Sequence, residues 1–180
     1  AANKAKIPVI TIDRASDKGE VAVHIASNNI KGGEMAAEYI VSKLGEGTPV
    51  AELEGIPGAS ASRERGQGFH NIADKKLKVL AKQSANFDRS QGLTVSENIL
   101  QANPDVKAIF AQNDEMALGA ISAAKAANKQ IFIIGFDGTD DGVKAVKDGT
   151  MAATIAQQPD KMGEIGVDAA LKLAKGENVE

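Results

Sequence analysis

Seven short apolar runs of strand character, separated by stretches of helical periodicity, fill nearly the whole chain, and this alternation constrains its fold more than any other feature. The spacing predicts strands over 7–13 (IPVITID), 21–26 (VAVHIA), 49–55 (PVAELEG), 77–85 (LKVLAKQSA), 106–112 (VKAIFAQ), 130–137 (QIFIIGFD) and 151–157 (MAATIAQ). Helices are expected over 29–44, 61–75, 91–102, 115–127, 140–149 and 160–176. In the first of these Ile30, Ala37, Ile40, Val41 and Leu44 share a face. Gly149 and Gly176 read as helix stops. Strands and helices alternating along nearly the whole chain imply an α/β fold, a doubly wound and mostly parallel sheet covered on both faces. Such sheets bind ligands beyond the carboxyl ends of their strands, so the residues there become the candidates.

Composition narrows the partners. The net charge is -3 with the signs interspersed, which gives no basic footprint for nucleic acid and no polybasic patch for a membrane surface. The absence of cysteine excludes disulfides, thiolate metal sites and a cysteine nucleophile. No apolar run approaches the roughly 18 residues of a spanning helix, so no direct membrane insertion is expected. The opening AANKAKIPVITIDR carries neither Met nor a signal-peptide core and reads as trimmed.

Each strand candidate ends in a hydrogen-bonding group or a ring: Asp13 and Arg14, Ser27 and Asn28, Ile56 to Ser60, Phe87 and Asp88, Asn113 and Asp114, Phe136 and Asp137, then Gln157. Asp, Asn, Arg and Gln can pair with vicinal hydroxyls, and a ring face can cover the C–H face of a sugar, so the set describes a polyol site better than a phosphate or metal site. A plainer reading stands beside each. Asp and Asn after strands are commonly helix caps, and Asp114 is expected to cap the helix that follows, leaving Asn113 for another task. Asp137 reads equally as a turn residue beside Gly138. Arg14 beside Asp13 reads also as a surface ion pair, and Phe87 and Phe136 taken singly as core.

Enzyme signatures are missing. There is no G-x-G-x-x-G, G-x-x-x-x-G-K-[ST] or G-x-S-x-G. His24 and His70 have no carboxylate or second histidine at metal-ligand spacing and are read as structural. Asp137, Asp140 and Asp141 lack the spacing of a calcium loop and suit a solvated helix start. No cofactor and no metal are expected.

IPVITIDR, HIASNN, GIPGASASRERGQGF, NFDR, FAQNDEMALGA, GFDGT and ATIAQQPDKMGEIGV, in this order along the whole chain, resemble the periplasmic D-ribose-binding proteins of bacterial ABC importers. These belong to the type I sugar-binding family shared with lactose-repressor-like regulators. The resemblance implies the periplasmic-binding-protein type I fold, two lobes joined by crossovers and closing on one aldose. Residues 28–157 would form a complete carboxy-terminal lobe, and 1–27 with 158–180 pieces of the amino-terminal one. It implies ribose contacts from Asp13, Arg14, Arg65, Phe87, Asn113, Asp137 and Gln157, with Ser27, Ile56 and Phe136 as pocket wall or hinge. The partners would be D-ribose or a related aldose, the importer permease and a chemoreceptor, in the periplasm. The family's opening strand–helix–strand block and last strand have no counterpart here, so weak or undetectable ribose binding is expected of this segment alone. Two rival readings are an effector domain of a lactose-repressor-type regulator and a sugar-modifying enzyme using Asp13 or Asp137.

Overall fold

The computed structural model describes residues 1–179; Glu180, the end of the last expected segment, lies outside the described residues. They form two compact units, one of Asn29–Gln157 and one of Ala1–Asn28 with the chain from Gln158 onward.

The larger unit runs α1 (Asn29–Leu44), β3 (Pro49–Glu54), α2 (Ser60–Lys76), β4 (Lys78–Ser84), α3 (Arg89–Ala102), β5 (Ala108–Ala111), α4 (Asp114–Ala126), β6 (Phe132–Asp137), α5 (Asp140–Lys147) and β7 (Ala153–Ala156); β1 (Ile10–Ile12), β2 (Val23–Ile25) and α6 (Pro159–Ala174) belong to the smaller unit. The five strands of the larger unit are ordered β4-β3-β5-β6-β7 and all pair in parallel. The chain steps outward from β3 to β4, then returns past β3 to β5. The topological switch point, where the loops after two neighbouring strands diverge, therefore lies between β3 and β5.

Side chains alternating along each strand feed two cores. On one face Ala51, Leu53, Ile109 and Ile133 meet Ile99 of α3 and Met116, Ala117 and Ala120 of α4. On the other, Val50, Phe110, Ile134 and Phe136 meet Ala36, Ala37 and Ile40 of α1 and Phe69 and Ala73 of α2, with Phe69 stacked on Phe110 at 4.8 Å. Near-continuous apolar strands are what a sheet covered on both faces requires. The α1–α2 contact is close because both helices offer glycine. A Cβ at Gly33 would strike the carbonyl oxygen of Arg65, and one at Gly68 that of Ile30.

In the smaller unit β1 and β2 pair in parallel, Ile10 opposite Val23 and Ile12 opposite Ile25, with α6 against them; Gly166 leaves room for the Ile12 side chain. These strands are shorter than expected from 7–13 and 21–26, regular pairing covering three residues in each. Asp13, at φ +68, turns the chain out of the strand immediately after Ile12. No helix among the described residues is long and apolar enough to cross a membrane.

Candidate functional site

In the larger unit the candidate residues gather at the carboxyl ends of the strands. Arg65 comes from α2, Phe87 from the turn after β4, Asn113 follows β5, Phe136 and Asp137 end β6, and Gln157 follows β7. Arg65 is the centre. It is 3% exposed, donating through Nε to Asn29 Oδ1 at 2.9 Å and through Nη1 to the carbonyl oxygen of Gln112 at 2.6 Å. The same Nη1 lies 3.3 Å from Asp137 Oδ1. Beneath it the Phe136 ring, 1% exposed, has its centroid 3.8 Å from the guanidinium carbon. The Phe87 ring stands 5.9 Å away and rests on Gly55, where a Cβ would overlap its outer ring carbons. Gln157 donates Nε2 to Asp137 Oδ1 at 2.7 Å.

Asp137 and Phe87 hold backbone angles that side chains seldom adopt, φ +117 and +60. Left-handed backbone at non-glycine residues carries a cost, and such residues cluster where geometry serves binding. Asp13, in the smaller unit, shares the feature. Arg14, which follows it, is exposed, and Ser27 donates Oγ to the Met162 sulfur at 3.9 Å. Ile56 is exposed on the turn after β3.

One expectation is overturned. Asp114 does not cap α4; Asn113 does, its Oδ1 accepting the Met116 amide at 3.0 Å from an extended backbone at φ -152, ψ 167. The Asn113 amide nitrogen donates to the Phe87 carbonyl at 3.2 Å. Asp114, the first helical residue, has no exposure and accepts from Thr139 N at 2.8 Å, Thr139 Oγ1 at 3.0 Å and Thr154 Oγ1 at 2.7 Å.

His70 also departs from expectation. It has two carboxylate neighbours, Asp74 one turn along α2 at 2.6 Å and Glu52 on β3 at 2.9 Å. Glu52 is fully buried. Its hydrogen bond lifts the imidazole well above the ordinary 6.5, to about 9, against the opposing effect of burial and with further help from Asp74. Glu52 in turn accepts Gln112 Nε2 at 2.9 Å. Asn29, Glu52 and Gln112 were not singled out from sequence.

The cluster offers a guanidinium, a carboxylate and two carboxamides around two ring faces. Arg65 and Asp137 have opposite charges, so the arrangement suits an uncharged ligand rich in hydroxyls, which accept from the cation and donate to the anion. Among the described residues no group of three or more histidines and carboxylates could hold a metal ion.

Comparison with known proteins identifies the family. A periplasmic binding protein domain matches residues 1–178. The ribose import binding protein of Haemophilus influenzae is 62% identical over 180 residues, spanning 99% of this chain and 62% of that protein. That of Bacillus subtilis is 56% identical over 180 residues, spanning 100% and 59%. The chain thus covers about three fifths of the length of these curated relatives. A periplasmic solute binding protein of Actinobacillus succinogenes, solved with bound D-allose, superposes with a TM-score of 0.90 at 35% identity, over 99% of this chain and 67% of that one. This chain belongs to the periplasmic binding protein family and has its type I fold.

Proposed function

We propose that the chain supplies the contacts to one molecule of D-ribose, or a close aldose, in a solute-binding protein that delivers the sugar to an ABC importer and presents it also to a chemoreceptor. The observation that carries this reading is the Arg65–Asp137–Gln157 cluster between the Phe87 and Phe136 rings, at the carboxyl ends of parallel strands. A polyol needs both bidentate polar partners and ring faces, and this cluster has both. The names of the close relatives, ribose import binding proteins, support ribose as the aldose and speak against a repressor or an enzyme. Arg65, Phe87, Asn113, Asp137 and Gln157 would contact the sugar, joined by Asp13 and Arg14, with Ser27, Ile56 and Phe136 as wall or hinge. Residues 28–157, one residue more than the larger unit, would act as a complete lobe and the remainder as part of a second. Sugar would favour the closed arrangement, and the importer would read that shape in the periplasm.

Calorimetric titration of D-ribose, D-allose, D-galactose and ribose 5-phosphate tests this, on the chain as given and on a form extended to the length of the Bacillus subtilis relative. Tight ribose binding by the extended form, with weak or no binding by the chain alone, is the expected result. Preference for the phosphate, or no binding by either form, overturns it.

A further inference from the structure

Asn113 sits between two side chains that have no solvent exposure, Gln112 and Asp114, and the two face different neighbours. Gln112 Oε1 accepts the Gly55 amide and the Ser62 hydroxyl, each at 2.8 Å. Its Nε2 donates to Glu52 and its carbonyl accepts from Arg65. Gln112 thereby ties the end of β5 to the end of β3, on whose Gly55 the Phe87 ring rests, and to α2, which carries Arg65. Asp114 binds the opposite side. Thr139 lies two residues after Asp137, and Thr154 three before Gln157. Its three donors therefore tie β5 to the turn after β6 and to β7.

The surroundings are shaped for these groups. A Cβ at Gly135 or at Gly142 would overlap the Asp114 carboxylate, and one at Gly66 would come within 3.1 Å of Gln112 Nε2. None of the three donors to Asp114 is a cation, so the buried carboxylate is held by neutral hydrogen bonds and by the amino end of α4. Such a group is costly to bury, and apolar residues would tie loops together at lower cost. What a hydrogen-bonded carboxylate adds is a fixed geometry.

We propose that Gln112 and Asp114 are positioning residues for sugar recognition. They set the spacing between the Arg65–Phe87 side and the Asp137–Gln157 side, and so decide which aldose the site prefers. This rests on the proposed function above. The test measures D-ribose and D-allose affinities and melting temperature in the extended form, for Asp114→Asn, Thr154→Val, Thr154→Ser and, as a stability control at a core residue that makes none of these hydrogen bonds, Ile99→Val. Asp114→Asn and Thr154→Val are expected to weaken ribose binding about tenfold or more, the scale of one buried polar group left unpaired, and to change the ribose-to-allose ratio. Thr154→Ser, which keeps the hydroxyl, is expected to restore both, and Ile99→Val to lower only the melting temperature. If Asp114→Asn does not fold, the Thr154 pair decides the matter. Lower melting temperature with unchanged affinity and ratio in Thr154→Val and in any folded Asp114→Asn overturns the inference alone. A wild type that binds neither sugar overturns the proposed function and the inference with it.

Discussion

The guanidinium of Arg65 lies face-on to the Phe136 ring at 3.8 Å while its nitrogens reach Asn29, Gln112 and Asp137. Only a planar, forked cation can stack and donate in several directions at once. Arg65→Lys keeps the charge opposite Asp137 but loses the stack and leaves a buried acceptor, Asn29 Oδ1 or the Gln112 carbonyl, without its partner. The expected cost is about 1–3 kcal/mol, read as a lower urea midpoint for the chain. An unchanged midpoint would show that charge alone matters at this position.

Phe136 and Phe87 both rest on glycine, and the two contacts should respond differently to a methyl group. A Cβ at Gly32 would come within 2.5 Å of the Phe136 ring, which is 1% exposed and has Arg65 over its face. The ring has nowhere to go, so Gly32→Ala is expected to destabilise by about 1–3 kcal/mol through overpacking, despite the gain of about 1 kcal/mol in helix propensity within α1. Gly55→Ala meets a half-buried Phe87 that can swing outward. It is expected to cost less stability and to displace the ring, which thermal melting and a crystal structure of the variant would show. Equal losses in the two variants would contradict the argument.

Much of the larger unit was legible in the sequence because apolar periodicity changes cleanly between strand and helix, and because strand ends can be read off once a parallel sheet is inferred. Arg65, Phe87, Asn113, Asp137 and Gln157 were reached in that way or through resemblance. What stayed hidden were partnerships between elements far apart in the chain. Nothing local in VAELEG marks Glu52 as the partner of His70 and Gln112, and nothing in SNNI says that the second asparagine, Asn29, meets Arg65. The Asp114 error has a different origin. Asn and Asp cap helices equally well, and which of two adjacent residues does so depends on where the backbone leaves the extended conformation. Only the Asp74 contact of His70 carried a local signal, the i, i+4 spacing along α2.

Ser96, in α3, is fully buried and its hydroxyl has no hydrogen-bond partner among the described residues. A buried hydroxyl without a partner carries its desolvation cost uncompensated, and alanine is the better helix former by a few tenths of a kcal/mol. Ser96→Ala is expected to raise stability by about 1 kcal/mol, measured as an increase in the urea midpoint at unchanged slope. A decrease would mean that the hydroxyl is engaged with an ordered water.

The last expectation concerns pH. His70 meets Glu52 on β3 and Asp74 on its own helix. It borders a hollow of about 690 Å³, also lined by Glu54, Arg63 and Lys82, through which protons can reach the ring. The folded protein holds the imidazole at about 9, through Glu52 first and Asp74 second, whereas the unfolded chain leaves it near 6.5. A group whose folded value is raised stabilises the native state fully below its unfolded value and loses that stabilisation as pH rises through the folded one. The wild type should therefore exceed His70→Gln in stability by its widest margin at pH 6. The margin should shrink from about pH 6.5 upward and be largely gone above about pH 9.5. Denaturant titrations of both proteins at pH 6, 7.5 and 9.5 measure it directly, and a constant difference would show that the Glu52–His70 contact does not depend on the imidazolium charge.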